Sequence, residues 1–296
     1  RIITLFPPLL YAMLTVAQAS WTPASMIHYK RLTGAVISPD GKRVAYTVSI
    51  PVMEGEKSEY LTHIWVATTD GIINRQFTFG NRSSFNPQFS PDGKWLSFLS
   101  SRASEGKNQL FLMPVDGGEG EPITKARNGM GTYAWAPDGK SIAFLMTDAP
   151  TEKEEKDKKE KRDMVIADVY RNSHLYTVSV SKDSKNENAV KRLTSSSFHI
   201  TEIAWSVDSK VIAFTHQTNA SLDLWTTSDI SAIPADSGAV KALVAESGAD
   251  LDPAYSPDGQ WLAYKSDGGV VKWAARADVY VMPAGGGSSK KLAATP

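Results

Sequence analysis

Phe89-Ser90-Pro91-Asp92-Gly93-Lys94, running into Trp95-Leu96-Ser97-Phe98, is the stretch on which the fold turns. Proline presets φ for the second position of a type I turn, aspartate suits the third, and glycine tolerates the positive φ that follows. The run after the turn alternates as a strand does, with a small residue third and an aromatic fourth. The phrase returns at Ile37-Ser38-Pro39-Asp40-Gly41, Trp135-Ala136-Pro137-Asp138-Gly139 and Tyr255-Ser256-Pro257-Asp258-Gly259, with a worn copy at Trp205-Ser206-Val207-Asp208-Ser209. Successive copies lie 46 to 70 residues apart. Repeats of this length mean arrays or propellers.

The strand after each turn is Arg43–Tyr46, Trp95–Phe98, Ser141–Phe144, Val211–Phe214 or Trp261–Tyr264. A second run follows at His63–Val66, Gln109–Leu112, His174–Thr177, Asp223–Thr226 and Asp278–Val281. A third comes at Arg75–Thr78, Glu121–Thr124, Lys191–Thr194, Lys241–Val244 and Lys290–Ala293. With the strand entering the turn, each unit has four strands, and four-stranded sheets repeated radially are propeller blades. The sequence therefore predicts an all-β fold, a β-propeller with four-stranded antiparallel blades, five of them in an incomplete ring.

Composition narrows function by exclusion. The 32 basic and 32 acidic residues balance, so nothing calls for nucleic acid. With no cysteine, there is no disulfide framework, thiolate metal site or cysteine nucleophile. Ile2 to Val16 is apolar but short and broken by Pro7-Pro8, and Ala17-Gln18-Ala19 supplies the small residues of a cleavage site. Residues 1–19 read as a signal peptide, which predicts a secreted or periplasmic protein, and residues 20–296 as the partial propeller. The opening Arg1 predicts a chain that is part of a longer one. Thr22-Pro23 predicts a helix start, with a brief helix to about Arg31.

The widest gap between turns holds Glu152 to Asp163, twelve consecutive charged residues. No core accepts such a run, so a solvated insertion over 150–163 is expected, and Ser181 to Ala189 reads as a second polar turn. Asn81-Arg82-Ser83 and Asn219-Ala220-Ser221 match the glycosylation pattern, which matters only in a eukaryotic secretory host.

A search for chemistry assigns no catalytic, cofactor-binding or metal-ligating residue, and no cofactor. Gly139-Lys140-Ser141-Ile142-Ala143 is the nearest approach to a nucleophile elbow, but Ser141 falls on the strand after a repeat turn rather than on a strand-to-helix turn. His28, His63, His174, His199 and His216 lack metalloprotease spacing, and His63 and His174 hold matching places in their units. The repeated aspartates lack calcium-loop spacing.

The Ser-Pro-Asp-Gly-Lys phrases, Trp21-Thr22-Pro23 ahead of Leu32, and the charged insertion followed by Asp168-Val169-Tyr170-Arg171-Asn172-Ser173-His174-Leu175-Tyr176 together resemble the prolyl oligopeptidase family of serine peptidases. The resemblance is to its acylaminoacyl-peptidase and dipeptidyl-peptidase 5 branch, and it covers Ser20 to Pro296. Members often carry a second aromatic where this chain has Ser173. The resemblance implies a ring of seven or eight blades joined to an α/β-hydrolase domain that holds the catalytic serine, with peptide substrates and no nucleic acid. Nothing in this chain matches that hydrolase, so no catalytic residue transfers, and this chain would be the gate without the catalyst. Five units of such a ring leave open edges at the first and fifth, which predicts an oligomeric or poorly soluble chain. TolB-like periplasmic propellers, which bind protein partners without catalysis, share the turn phrase and form the alternative.

Overall fold

The computed structural model describes residues 22–103, 106–160, 170–180, 190–271, 273 and 277–292. The signal segment 1–19 and the polar turn 181–189 lie outside them. The strands form five four-stranded sheets, each an antiparallel meander in sequence order. The first holds β1 (Arg31–Ile37), β2 (Arg43–Glu54), β3 (Lys57–Thr68) and β4 (Asn74–Gln76). The second holds β5 (Ser84–Phe89), β6 (Trp95–Ser100), β7 (Gln109–Pro114) and β8 (Glu121–Pro122). The third holds β9 (Tyr133–Trp135), β10 (Ser141–Thr147), β11 (Ser173–Ser179) and β12 (Val190–Arg192). The fourth holds β13 (His199–Trp205), β14 (Val211–Gln217), β15 (Asp229–Pro234) and β16 (Lys241–Val244). The fifth holds β17 (Asp250–Tyr255), β18 (Trp261–Ser266), β19 (Asp278–Pro283) and β20 (Lys290–Lys291). These are the blades of a β-propeller.

Each turn closes as its residues dictate. Gly41 N donates to Ser38 O at 2.9 Å, and Gly41 sits at φ 71°. The serine does more than its place in the phrase announced. Ser38 Oγ donates to Asp40 Oδ1 at 2.6 Å and accepts from Arg43 N at 2.9 Å, while Asp40 Oδ1 also takes Lys42 N at 3.0 Å. The same set recurs at Ser90/Asp92, Ser206/Asp208 and Ser256/Asp258. Ala136 lacks the hydroxyl, and the third turn keeps only the Asp138–Lys140 bond.

The core lies between blades. Each blade turns an aliphatic and aromatic front toward the blade before it and a flatter back toward the blade after. Ala45, Ile64 and Val66 of the first blade thus meet Leu96, Phe98 and Phe111 of the second. Ala143, Leu145 and Leu175 of the third meet Ile212 and Phe214 of the fourth, and Ala213 and Ile230 of the fourth meet Leu262 and Tyr264 of the fifth. The small third-place residue is what lets the sheets close: Ala45, Ser97, Ala143 and Ala213 are each 0% exposed. The aromatic beside it stacks on a cross-strand partner, as Phe98 does on Phe111 at 5.4 Å and Phe144 on Tyr176 at 5.5 Å.

Three expectations on element boundaries are corrected. Asp223–Thr226 is not a strand; Leu222–Thr227 is a 3-10 helix, and the strand is β15, with Ser231 opposite Phe214. Gln217 Nε2 donates to the carbonyls of Asn219 and Ser221, and this turns the chain before it can pair. The fourth strands of the first three blades end early because a threonine side chain takes over from the backbone: Ile64 N donates to Thr78 Oγ1, Leu110 N to Thr124 Oγ1 and Leu175 N to Thr194 Oγ1, at 2.9 to 3.0 Å. In the fourth blade, β16 spans Lys241–Val244 as expected. The first helix, α1, stops at Pro23–Ile27, since Arg31 already pairs with Ser49 in β1. Thr22 caps it, accepting Ser25 N at 3.1 Å.

Candidate functional face and blade joints

A meander sends its first-to-second and third-to-fourth turns to one end of the blade and its second-to-third connections to the other. The Pro-Asp-Gly end is accordingly plain. The opposite end is elaborated. There β2 and β3 project as a hairpin to Glu54 and Lys57, the helix α2 (Glu152–Lys159) leaves the third blade, the 3-10 helix leaves the fourth, and residues 267–271 leave the fifth. The start of the predicted charged insertion is thus α2, opened by a reciprocal cap: Thr151 N donates to Glu154 Oε2 at 2.6 Å and Glu154 N to Thr151 Oγ1 at 3.2 Å. Binding residues concentrate on such connections, because the sheets hold them rigidly.

The elaborated end of the last two blades carries apolar surface beside buried acid. Leu222, Val270 and Trp273 are 89%, 60% and 66% exposed, and Trp273 meets Trp225 edge-on at 6.1 Å. Asp250 is buried next to them. Burial pushes its carboxyl up to about 6, with Asp229 and Glu246 adding repulsion against the Ser266 hydroxyl. Asp267 is also buried and accepts Ala249 N at 3.3 Å.

The root of the insertion is pinned. Asp148 N donates to Asn172 O, and the Asp148 carboxylate meets His174 Nε2 at 3.0 Å and Arg192 Nη2 at 3.4 Å. Burial holds the His174 imidazole below its ordinary value despite Asp148, and its Nδ1 has no hydrogen-bond partner. A neutral ring with the proton on Nε2 satisfies both facts.

First strands of neighbouring blades approach one another, so they form the inner edge. Four residues before each turn serine or alanine stand Gly34, Asn86, Thr132, Glu202 and Asp252, each exposed or half-buried. Asn86 and Asp252 reach φ 52° and 54° at bulges. Glu202 Oε2 accepts Thr215 Oγ1 at 2.8 Å and Asp252 N at 2.7 Å, linking blades four and five, while Lys265 pairs with the Asp252 carboxylate. Burial raises the Glu202 carboxyl, and Lys265 lowers that of Asp252.

In the third and fourth blades the large residue before the turn also proves to be a joint residue. Trp135 Nε1 donates back to Ser97 Oγ at 2.8 Å, and Trp205 Nε1 to Ala134 O at 3.1 Å, each reaching the preceding blade. Ser141 is the first residue of β10, paired with Ser179. His63 and His174 are both buried on third strands, and His199 Nδ1 accepts Ser173 N. Among the described residues, no three His, Asp or Glu side chains are grouped to hold a metal, and no helix is long and apolar enough to cross a membrane.

The family profile of the acylamino-acid-releasing enzyme, N-terminal domain, matches residues 40–109. The chain is 30% identical over 252 residues to the uncharacterized peptidase YuxL of Bacillus subtilis. It is 26% identical over 275 residues to dipeptidyl-peptidase 5 of Porphyromonas endodontalis. The chain is similar to the amino-terminal propeller portion of these peptidases. The matches take in 85% of the chain in each case but only 32% and 39% of these two relatives. Among solved structures, acylaminoacyl peptidase of Pyrococcus horikoshii superposes with a TM-score of 0.61 at 14% identity, over 90% of this chain and 40% of that one. A TolB from Agrobacterium tumefaciens superposes with a TM-score of 0.58 at 18% identity, over 88% and 80%. At such identities both speak to fold alone. The propeller itself divides cleanly into a plain end and an end built out with insertions.

Proposed function

We propose that this chain is the substrate-gating propeller of a secreted serine-type oligopeptidase, set over a hydrolase domain that carries the catalytic serine. The observation that carries the reading is the 30% identity to a peptidase across 85% of this chain. In this reading the propeller admits peptides and excludes folded proteins, and acyl transfer through serine and an oxyanion hole occurs outside these residues. The elaborated end, with its apolar and acidic surface on blades four and five, is the face turned to peptide and hydrolase. The apolar leader ending in Ala17-Gln18-Ala19 supports export. The TolB-like alternative draws only on a shared fold.

The test takes the polypeptide from its native host and treats it with a fluorophosphonate probe. Labelling of a serine outside residues 20–296, hydrolysis of short acylated or dipeptidyl substrates, and sparing of folded protein are expected. A polypeptide without a labelled serine or peptide turnover would sink the reading, as would turnover by this chain alone.

A further inference from the structure

Two joints between blades are fastened at the elaborated end by the same backbone amide. Between blades one and two, the amide of Thr62, one residue ahead of His63, donates to Ser83 Oγ at 3.1 Å. Between blades three and four, the amide of Ser173, one residue ahead of His174, donates to His199 Nδ1 at 3.0 Å. The two acceptors hold one place in the repeat, since the residue after each pairs alike: Ser84 with Ser100 on β6, Ile200 with His216 on β14. A hydroxyl accepts at any ordinary pH. An imidazole nitrogen accepts only while the ring is neutral.

The His199 bond lies at the root of the charged insertion. Beside it, Asn172 Nδ2 donates to Ser197 O at 2.7 Å, and Asn172 O takes the amide of Asp148. These bonds tie both ends of the β10–β11 connection to the segment that opens the fourth blade. The closed joint has little in reserve. Asn172 Oδ1 and His174 Nδ1 are buried in it without a hydrogen-bond partner, and opening would give both to water.

Among the described residues, no carboxylate stands ready to hold a proton on His199. His174 faces it from β11. The Asp148 carboxylate is engaged by His174 and by Arg192 of β12, and His216 on the neighbouring β14 is bonded to Ser231 Oγ at 2.8 Å. Burial, with His174 adding to it, holds the His199 imidazole below its ordinary value.

We propose that His199 is an acid-released latch between the third and fourth blades, which frees the root of the charged insertion when Nδ1 takes a proton. The new Nδ1–H faces the Ser173 N–H, donor against donor, and the bond is lost. The support it gives the joint is full above the ordinary histidine value, about 6.5, and falls as pH drops from there through the lower folded value. The latch is independent of the peptidase reading, because only local opening between two sheets of this chain is measured.

The test is hydrogen exchange of the 296-residue chain at about pH 8 and about pH 5, on either side of the free imidazole, with labelling times scaled to the intrinsic rates. Peptides over 172–175 should lose protection about tenfold in acid, the loss expected of one hydrogen bond. Peptides over 61–64, held by Ser83, and over 95–100 in the second blade should keep theirs. His199→Ser supplies the acceptor that the first joint uses, and it should remove the pH response at 172–175. His199→Phe should leave that stretch open at both pH values. Equal scaled protection of the wild type at both would overturn the proposal. A pH response that survives in His199→Ser would overturn it too, passing the effect to His174 or the carboxylates. So would a loss shared by 95–100, which is acid unfolding of the whole chain.

Discussion

The amide of Asp138, in the turn of the third blade, donates to the hydroxyl of Ser209, in the turn of the fourth, at 3.0 Å. Ser209 stands where the other turns have glycine and holds φ at 61°, a region that costs a non-glycine residue roughly 1–2 kcal/mol. The worn copy of the repeat thus exchanges backbone ease for a bond across the joint. Ser209→Ala keeps the strain and loses the bond, so it should destabilise by about 1 kcal/mol. Ser209→Gly loses both and should be near neutral. Denaturant midpoints of the two variants, measured side by side, check this; no loss in Ser209→Ala would show that the bond contributes nothing, and equal losses that the strain costs nothing.

Ser97 sits at another joint. It is 0% exposed, accepts Trp135 Nε1 and meets the Tyr133 hydroxyl at 3.0 Å. Ser97→Ala strands a buried indole N–H, and the expected cost is about 1–3 kcal/mol. Adding Trp135→Phe should recover part of that loss, which a double-mutant cycle measures.

Front residues should differ in worth according to what covers them. Phe98 is 0% exposed, and Phe98→Ala should cost about 3–5 kcal/mol. Tyr46 holds the equivalent place on the open first blade, and Tyr46→Ala should cost well under half as much in dilute solution. Similar losses at low concentration would contradict an open front.

Acid should act on this fold in two opposite ways. Asp40, Asp92, Asp208 and Asp258 are held below the carboxylate range by serine hydroxyls and backbone amides. Their support is full above the unfolded value, about 4, and is lost as pH falls through the folded values. Ser90→Ala should shrink that acid limb. Asp250, raised to about 6, works the other way. The folded state binds the extra proton between about 4 and that value, so stability falls as pH rises through the window. Asp250→Asn should flatten this slope in thermal melts from mildly acidic to neutral pH; an unchanged slope would remove Asp250 as its source.

Much of the blade was legible from residue order alone. The turn phrase and the alternating run after it are local: proline and glycine act through their own φ, and a strand shows its two faces every second residue. Hence all five second strands, and four of the five third strands, stand where the sequence places them. The miss at Asp223–Thr226 came from an apolar alternation that Gln217 and Asn219 fold into a 3-10 turn. The better candidate, Ile230-Ser231-Ala232-Ile233 running into Pro234 and a turn, was present in the same stretch.

What the sequence by itself determined is the unit: its four strands, its turn, its exposed charged insertion and its family likeness. Only the tertiary structure decided what the repeated serine and tryptophans are for, since their partners lie several residues or a whole blade away. Ser38 closes its own turn through Asp40, whereas Trp135 and Trp205 fasten blade to blade. It also decided which aromatics are core. Tyr46 and Phe98 occupy the same place in the repeat, and only a neighbouring blade, which no local pattern encodes, distinguishes the half-buried ring from the fully buried one.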